Sequence, residues 1–116
     1  MIALSLPWPP SVNTYWRHVG AQVLISADGR RYRKEVGECV LMYVRGSRPL
    51  NGRLSVRIEA QPPDKRKRDL DNLLKAPLDA LTHAGLWVDD EQIDELTIVR
   101  LGPLRGGALR VVVTPT

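Results

Sequence analysis

Between Lys65 and Lys75 the chain reads Lys65-Arg66-Lys67-Arg68-Asp69-Leu70-Asp71-Asn72-Leu73-Leu74-Lys75, four consecutive cations running directly into two carboxylates spaced two apart. A phosphodiester accounts for both halves. Its charge attracts Lys and Arg, and a divalent cation held by carboxylate oxygens can neutralise a phosphoryl oxygen and activate water for attack on phosphorus. In extended backbone the side chains alternate, so Asp69 and Asp71 project to one face and can approach one ion while Leu70 turns to the core. Hard cations such as Mg²⁺ take few carboxylates and complete their shell with water and substrate oxygens. The competing reading is structural, with Asp71 or Asn72 capping a helix and Asp69 balancing Arg66 or Arg68. Lys75, four residues after Asp71, would share its helix face. It either forms a surface ion pair or stabilises charge developing on a phosphate.

A third carboxylate is wanted downstream, and Asp89-Asp90 is the strongest candidate, ahead of Glu91 and Asp94. Adjacent residues of an extended segment face opposite ways, so only one of Asp89 and Asp90 would face an ion directly, and spacing does not choose between them. A calcium EF-hand loop starting at Asp69 would need Gly and Glu where Leu74 and Ala80 stand. Aspartyl-nucleophile phosphatases carry their Asp pair after an apolar strand of a much larger domain, whereas a basic run precedes it here. His18 and His83 have no ligand spacing around them and stay out of the site. Upstream, Ser11-Val12-Asn13-Thr14-Tyr15-Trp16-Arg17-His18 interleaves aromatic, polar and cationic groups, the mixture that stacks bases and grips phosphates. Tyr15 and Arg17 are its candidates for DNA contact, beside Lys65, Arg66, Lys67 and Arg68. The competing reading is a loop whose rings plug the core.

The elements that must position these groups follow from periodicity. Ile2–Leu6 reads as a short strand closed by Pro7-Trp8-Pro9-Pro10, and Gln22–Ser26 as a second strand. Tyr32, Val36, Cys39, Val40 and Tyr43 fall on one face of a helix over 28–44, ended by Gly46, Ser47 and Pro49. Leu54–Ala60 alternates as a third, half-buried strand. Leu74, Leu78 and Leu81 mark a second helix over 72–84 that Gly85 ends, with Pro77 forcing a kink or a tighter opening turn. Leu86-Trp87-Val88 is a brief extended piece, Asp89-Asp90-Glu91 an acidic turn, and Ile93–Leu101 a fourth strand. A hairpin over Gly102–Gly107 would pair this strand antiparallel with Ala108–Val113. The expected fold is an α/β (α+β) two-layer domain over 1–116, a mixed sheet of about five strands with two main helices.

With 116 residues, 43% hydrophobic and 26% charged, the chain has the composition of one globular domain, and no apolar run approaches a membrane span. The N-terminus meets Pro7 too soon for a secretory signal, so a cytoplasmic location is expected. A net charge of +4 favours an acidic partner. The lone Cys39 can form no internal disulfide and reads as a small core residue.

On these residues the sequence resembles the RusA family of Holliday junction resolvases, small endonucleases of phage and prophage origin that cut four-way DNA junctions. The resemblance lies in Arg68-Asp69-Leu70-Asp71-Asn72-Leu73-Leu74-Lys75, Leu78-Asp79-Ala80-Leu81, and Gly85-Leu86-Trp87-Val88-Asp89-Asp90 with Gln92. A second part is the opening Leu6-Pro7-Trp8-Pro9-Pro10-Ser11 with Asn13, Tyr15 and Arg17. It implies that Asp69, Asp71 and Asp90 bind metal, that Lys75 is the essential lysine, and that Asp89 stands behind them. It also implies Mg²⁺ or Mn²⁺ dependence, a homodimer, and paired cuts near the crossover. The rival readings are a non-catalytic nucleic-acid binder, and a nuclease for other branched DNA or structured RNA.

Overall fold

The computed structural model describes residues 1–43 and 48–116. Its centre is β4 (Leu54–Gln61), in which Leu54, Val56, Ile58 and Ala60 are buried while Ser55, Arg57, Glu59 and Gln61 face the other way. A strand this well covered is flanked on both edges, by β6 (Ala108–Pro115) antiparallel and β5 (Ile93–Arg100) parallel. Adding β1 (Ile2–Pro7) antiparallel to β6 gives a four-stranded mixed sheet in the order β1-β6-β4-β5. The last two strands therefore do not form the expected hairpin, because β4 lies between them. The connecting loop is tied to the end of β4, where the Leu104 N–H donates to the Pro62 carbonyl at 2.9 Å, and it spans two strand spacings, roughly 10 Å. β5 also lacks the burial of an interior strand, with Asp94, Glu95, Leu96 and Thr97 all exposed, so the edge is its natural place.

The second expected strand is present as β3 (Gln22–Ile25), but it pairs with β2 (Trp16–Val19) in a separate two-stranded ribbon, not in the main sheet. Between β1 and this ribbon lies the short α1 (Val12–Tyr15). α2 (Ala27–Tyr43) buries Tyr32, Val36 and Val40 as their spacing predicts. Its start is fixed by Ser26, whose Oγ accepts from the Gly29 N–H at 2.9 Å. The expected end of this helix at Val44, Gly46 and Ser47 lies outside the described residues. α3 (Lys75–His83) is preceded by a 3-10 turn, Leu70–Leu73. Pro77 is the third residue of α3, inside the first turn where its missing N–H leaves no bond unmade. The tighter opening turn that Pro77 called for is thus built, and a positive φ of 82° at Gly85 follows the helix.

The buried faces of β1, β4 and β6 meet Tyr32, Val36 and Val40 of α2 and Ala76, Ala80 and Leu81 of α3 in one hydrophobic cluster. This is the expected two-layer α/β architecture with a mixed sheet and two main helices. Among the described residues no helix is long and apolar enough to cross a membrane.

Candidate active site

Adjacent parallel strands need a crossover connection, and Asp69, Asp71, Lys75 and Asp90 all lie within the one that joins β4 to β5. The chain leaves β4 through Pro62-Pro63 and the basic run, makes the 3-10 turn, runs through α3 and returns through a second 3-10 turn, Asp90–Gln92. Asp69 is extended (φ −84°, ψ 133°) and its side chain caps nothing. Asp71 already belongs to the 3-10 turn, so the alternation argued for extended backbone does not govern it. Both are exposed. Among the described residues neither carboxylate has an ion-pair partner. The capping role open to Asp71 is not taken, nor is the Asp71–Lys75 ion pair that the spacing allows.

Lys75 opens α3, where the positive end of the helix dipole gives a cation no help. Its charge is felt instead by Asp90 across the crossover. Asp90 and Asp89 are distinguished by the local backbone. Asp89 is the cap of the second 3-10 turn, its Oδ1 accepting from the Glu91 N–H at 3.2 Å. Gln92, buried, completes the box: its Oε1 accepts from Val88 and Asp89 N–H at 2.9 and 2.8 Å. Its Nε2 donates to the Leu50 and Gly52 carbonyls at 3.0 and 2.8 Å. Asp89 thus caps the backbone, and Asp90 is exposed with the Asp89 carboxyl beside it. Partial desolvation, and then the Asp89 carboxylate beside it, raise the Asp90 pKa above the ordinary carboxylate range, while Lys75 works against that rise.

The basic run divides. Arg68 places Nη1 2.8 Å from Asp64 Oδ1 and its guanidinium 5.6 Å from the centre of the Trp8 ring, leaving the side chain 21% exposed. Arg66 reaches the same carboxylate at 3.3 Å but is exposed. Lys65 and Lys67 are exposed and, among the described residues, unpaired. Asp64, its pKa lowered by the Arg68 guanidinium, stands immediately before the run, and the reading that began at Lys65 missed it. Arg100, at the end of β5, donates to the Arg68 carbonyl and was missed as well.

Tyr15 is corrected as a DNA contact. It is fully buried, and its hydroxyl donates to Asp79 on α3 while Arg33 Nε of α2 binds the same Asp79 oxygen at 2.9 Å. Burial, and then this hydrogen bond, push the Tyr15 pKa far up. The competing reading of a ring plugging the core is the one the structure takes. Asp79 was not singled out from the sequence, although a carboxylate beside the apolar stripe of a helix is a signal for a buried partner. Arg17 is exposed on β2 and borders neither depression at Asp69.

Those depressions are an open groove of about 620 Å³, bordered by Lys67, Arg68, Asp69, Asp71 and Arg100, and a cleft of about 420 Å³ running from Asp69 to Trp8. Among the described residues no three His, Cys, Asp or Glu side chains converge closely enough to form a metal cage. The donor set suits a different arrangement. Exposed carboxylates free of ion pairs beside a cationic groove fit a hard cation that takes one or two protein carboxylates and fills its shell with water and phosphate oxygens.

Free carboxylates in a cation-lined groove, carried on one crossover of a mixed α/β sheet, define a protein built to hold a polyanion against acidic groups. Residues 7–114 match the family Endodeoxyribonuclease RusA. The chain is similar to the crossover junction endodeoxyribonuclease of Enterobacteria phage HK97, at 44% identity over 109 residues that cover 94% of this chain and 90% of that protein. Its counterpart in Enterobacteria phage 82 is 43% identical over 114 residues, 96% and 92% of the two chains. The protein of that name from Escherichia coli strain K12 is 40% identical over 115 residues, 97% and 92% of the two chains. The chain belongs to the RusA endodeoxyribonuclease family.

Proposed function

We propose that this chain is a structure-specific DNA endonuclease that resolves Holliday junctions in recombination and repair, with Asp69, Asp71 and Asp90 as its metal-binding acids and Lys75 as its essential lysine. One observation carries the reading beyond family membership. The three aspartates and Lys75 share the one crossover between β4 and β5, and among the described residues the three have no ion-pair partner; Glu35, Glu38 and Glu95 are also unpaired but lie on α2 and β5, away from that crossover. Bound Mg²⁺, with Mn²⁺ as a substitute, would supply Lewis-acid stabilisation of the phosphoryl oxygens and a water acidified for attack.

The chain's own residues do the rest. Lys65, Arg66 and Lys67 hold the sugar-phosphate backbone along the groove by charge. Arg68 is a fixed cation, since Asp64 engages only Nη1 and Trp8 lies across the guanidinium, so Nε and Nη2 remain to fork onto a phosphate. Arg17 on the ribbon would serve a more distant duplex arm. Lys75 neutralises charge that develops on the scissile phosphate, and Asp89 with Gln92 keeps Asp90 turned towards it. A four-way junction has approximate two-fold symmetry and needs two opposed incisions, so the working unit is a homodimer with one site per subunit. Such a unit, read from residues 1–116 as one domain, acts on chromosomal or phage DNA in the cytoplasm.

The test is to incubate the protein with a labelled four-way DNA junction and with a matched linear duplex, each with Mg²⁺, with Mn²⁺ and with EDTA. Paired nicks on the junction in the metal samples alone are expected. Binding without cutting in every sample would reassign the chain as an architectural junction binder. Equal cutting of flaps or structured RNA would widen the substrate.

A further inference from the structure

The open groove of Lys67, Arg68, Asp69, Asp71 and Arg100 has what a phosphate track needs. The neighbouring cleft shares Lys67, Arg68 and Asp69 with this groove and adds a different chemistry. Its other walls include Trp8, Pro9, Ser11 and Asn72. A phosphate needs neither a flat aromatic wall nor a carboxamide, whereas a nucleobase uses both, a face to stack on and a donor beside an acceptor on its edge. Resting on the nuclease reading, we infer that this cleft receives a nucleobase next to the scissile phosphate and that Asn72 reads its edge, making Asn72 a determinant of where in the sequence the enzyme cuts.

Three features build the cleft. The Trp8 ring is clamped, with the Arg68 guanidinium near it and Gly107 against its base. A Cβ on Gly107 would lie 2.9 Å from Trp8 Cβ and 3.0 Å from Trp8 Cγ and Pro63 Cδ, and the backbone there has φ 71°, so only glycine lets the loop close on this ring. Asn72 is carried on the same 3-10 turn as Asp71, and its N–H donates to the Asp69 carbonyl at 3.2 Å. Its position is therefore set by the residues proposed to bind metal. Its carboxamide enters no hydrogen bond among the described residues, which leaves an N–H₂ and a carbonyl oxygen side by side for a base. Because Asp69 borders both depressions, a strand whose phosphate lies at Asp69 brings the adjoining base to the cleft without further movement of the protein. At a junction crossover the flanking stack is already interrupted, so turning that base out costs less than in continuous duplex.

The test uses the full chain, Mg²⁺ and a set of four-way junctions that differ only in the base pairs flanking the cut. Wild-type protein is expected to cut the best of them at least about ten-fold faster than the worst, and Asn72→Ala and Asn72→Ser to compress that ratio several-fold, at unchanged melting temperature and unchanged junction affinity. An abasic nucleotide at the flanking position should slow the wild type about ten-fold and leave both variants nearly indifferent. An unchanged ratio in the two variants, or an equal abasic penalty in wild type and variants, would overturn the inference. Even cutting of the whole set by the wild type would do the same while leaving the resolvase reading intact. No cutting of any junction would remove that reading and the subsite with it.

Discussion

The two faces of the segment around α3 treat charge in opposite ways. On the side facing α2, Asp79 takes the Tyr15 hydroxyl and the Arg33 guanidinium, three groups from three helices closed on one another and about three-quarters shielded at the ion pair. Elsewhere on the same crossover, Asp69 and Asp71 border the groove, and they, Asp90 and Lys75 have no such partner among the described residues, while Asp90 is held above its ordinary pKa by burial and the Asp89 carboxyl. A chain optimised for stability alone would pair these groups as it pairs Asp79. Unpaired and perturbed carboxylates persist where chemistry needs them open. The locked side makes the open side possible, because it fixes the helix from which Lys75 projects.

That contrast predicts different losses on the two sides. Asp69→Asn should lower junction cutting on the order of 10³-fold by weakening metal-assisted charge stabilisation, while gel-shift affinity in EDTA stays level or tightens, since a carboxylate facing phosphate is gone. Cutting at the wild-type rate would sink its catalytic role. Lys75→Ala should cost about 10²-fold in single-turnover rate, the scale of one transition-state donor, with little change in melting temperature. Asp79→Ala should behave in the reverse manner. It leaves a shielded guanidinium and a buried hydroxyl without their partner, about 2 kcal/mol, seen as a fall in Tm of roughly 6–10 °C. A larger effect on cutting than on melting would contradict its assignment to the locked side.

The smallest effects are pH-dependent and differ in sign. Asp64 has a lowered pKa in the folded chain, so its contribution to stability is present above the ordinary carboxylate range and is lost as pH falls through its own depressed pKa. Asp90 has a raised pKa, so its contribution is present below the ordinary range and is lost as pH rises through its folded value. In EDTA at neutral pH, Asp64→Asn should therefore melt slightly below the wild type and Asp90→Asn slightly above it, by on the order of one degree each. The Asp90→Asn difference should disappear in acid, and the Asp64→Asn difference should shrink only as pH falls through the depressed Asp64 pKa. Melting curves at pH 7 and pH 3 check this, and like-signed shifts would count against the contrast.

The sequence brought the charged groups of the crossover forward as a candidate site because they are close together in the chain: the Asp69-to-Lys75 run needs no long-range pairing to be seen. The strands and α2 were legible for the same reason, as one-dimensional periods in Leu54–Gln61 and Ala27–Tyr43. What failed was whatever a second segment decides. Tyr15 read as a recognition ring because its buried partner Asp79 is 64 residues away. β5 and β6 read as a hairpin because nothing local says that β4 stands between them. The choice between Asp89 and Asp90 was unreadable from spacing, yet Gln92, three residues beyond Asp89, was the visible half of the capping box.

One consequence of the parallel pairing between β4 and β5 concerns time. The groups proposed to cut DNA sit on the loop that this pairing closes, and parallel pairing across a helix is a non-local step that the chain reaches slowly. The basic run, by contrast, carries its charge in any conformation. A refolding chain therefore grips DNA before it can nick it, and after dilution from denaturant junction binding should recover ahead of cutting; simultaneous recovery would refute this order.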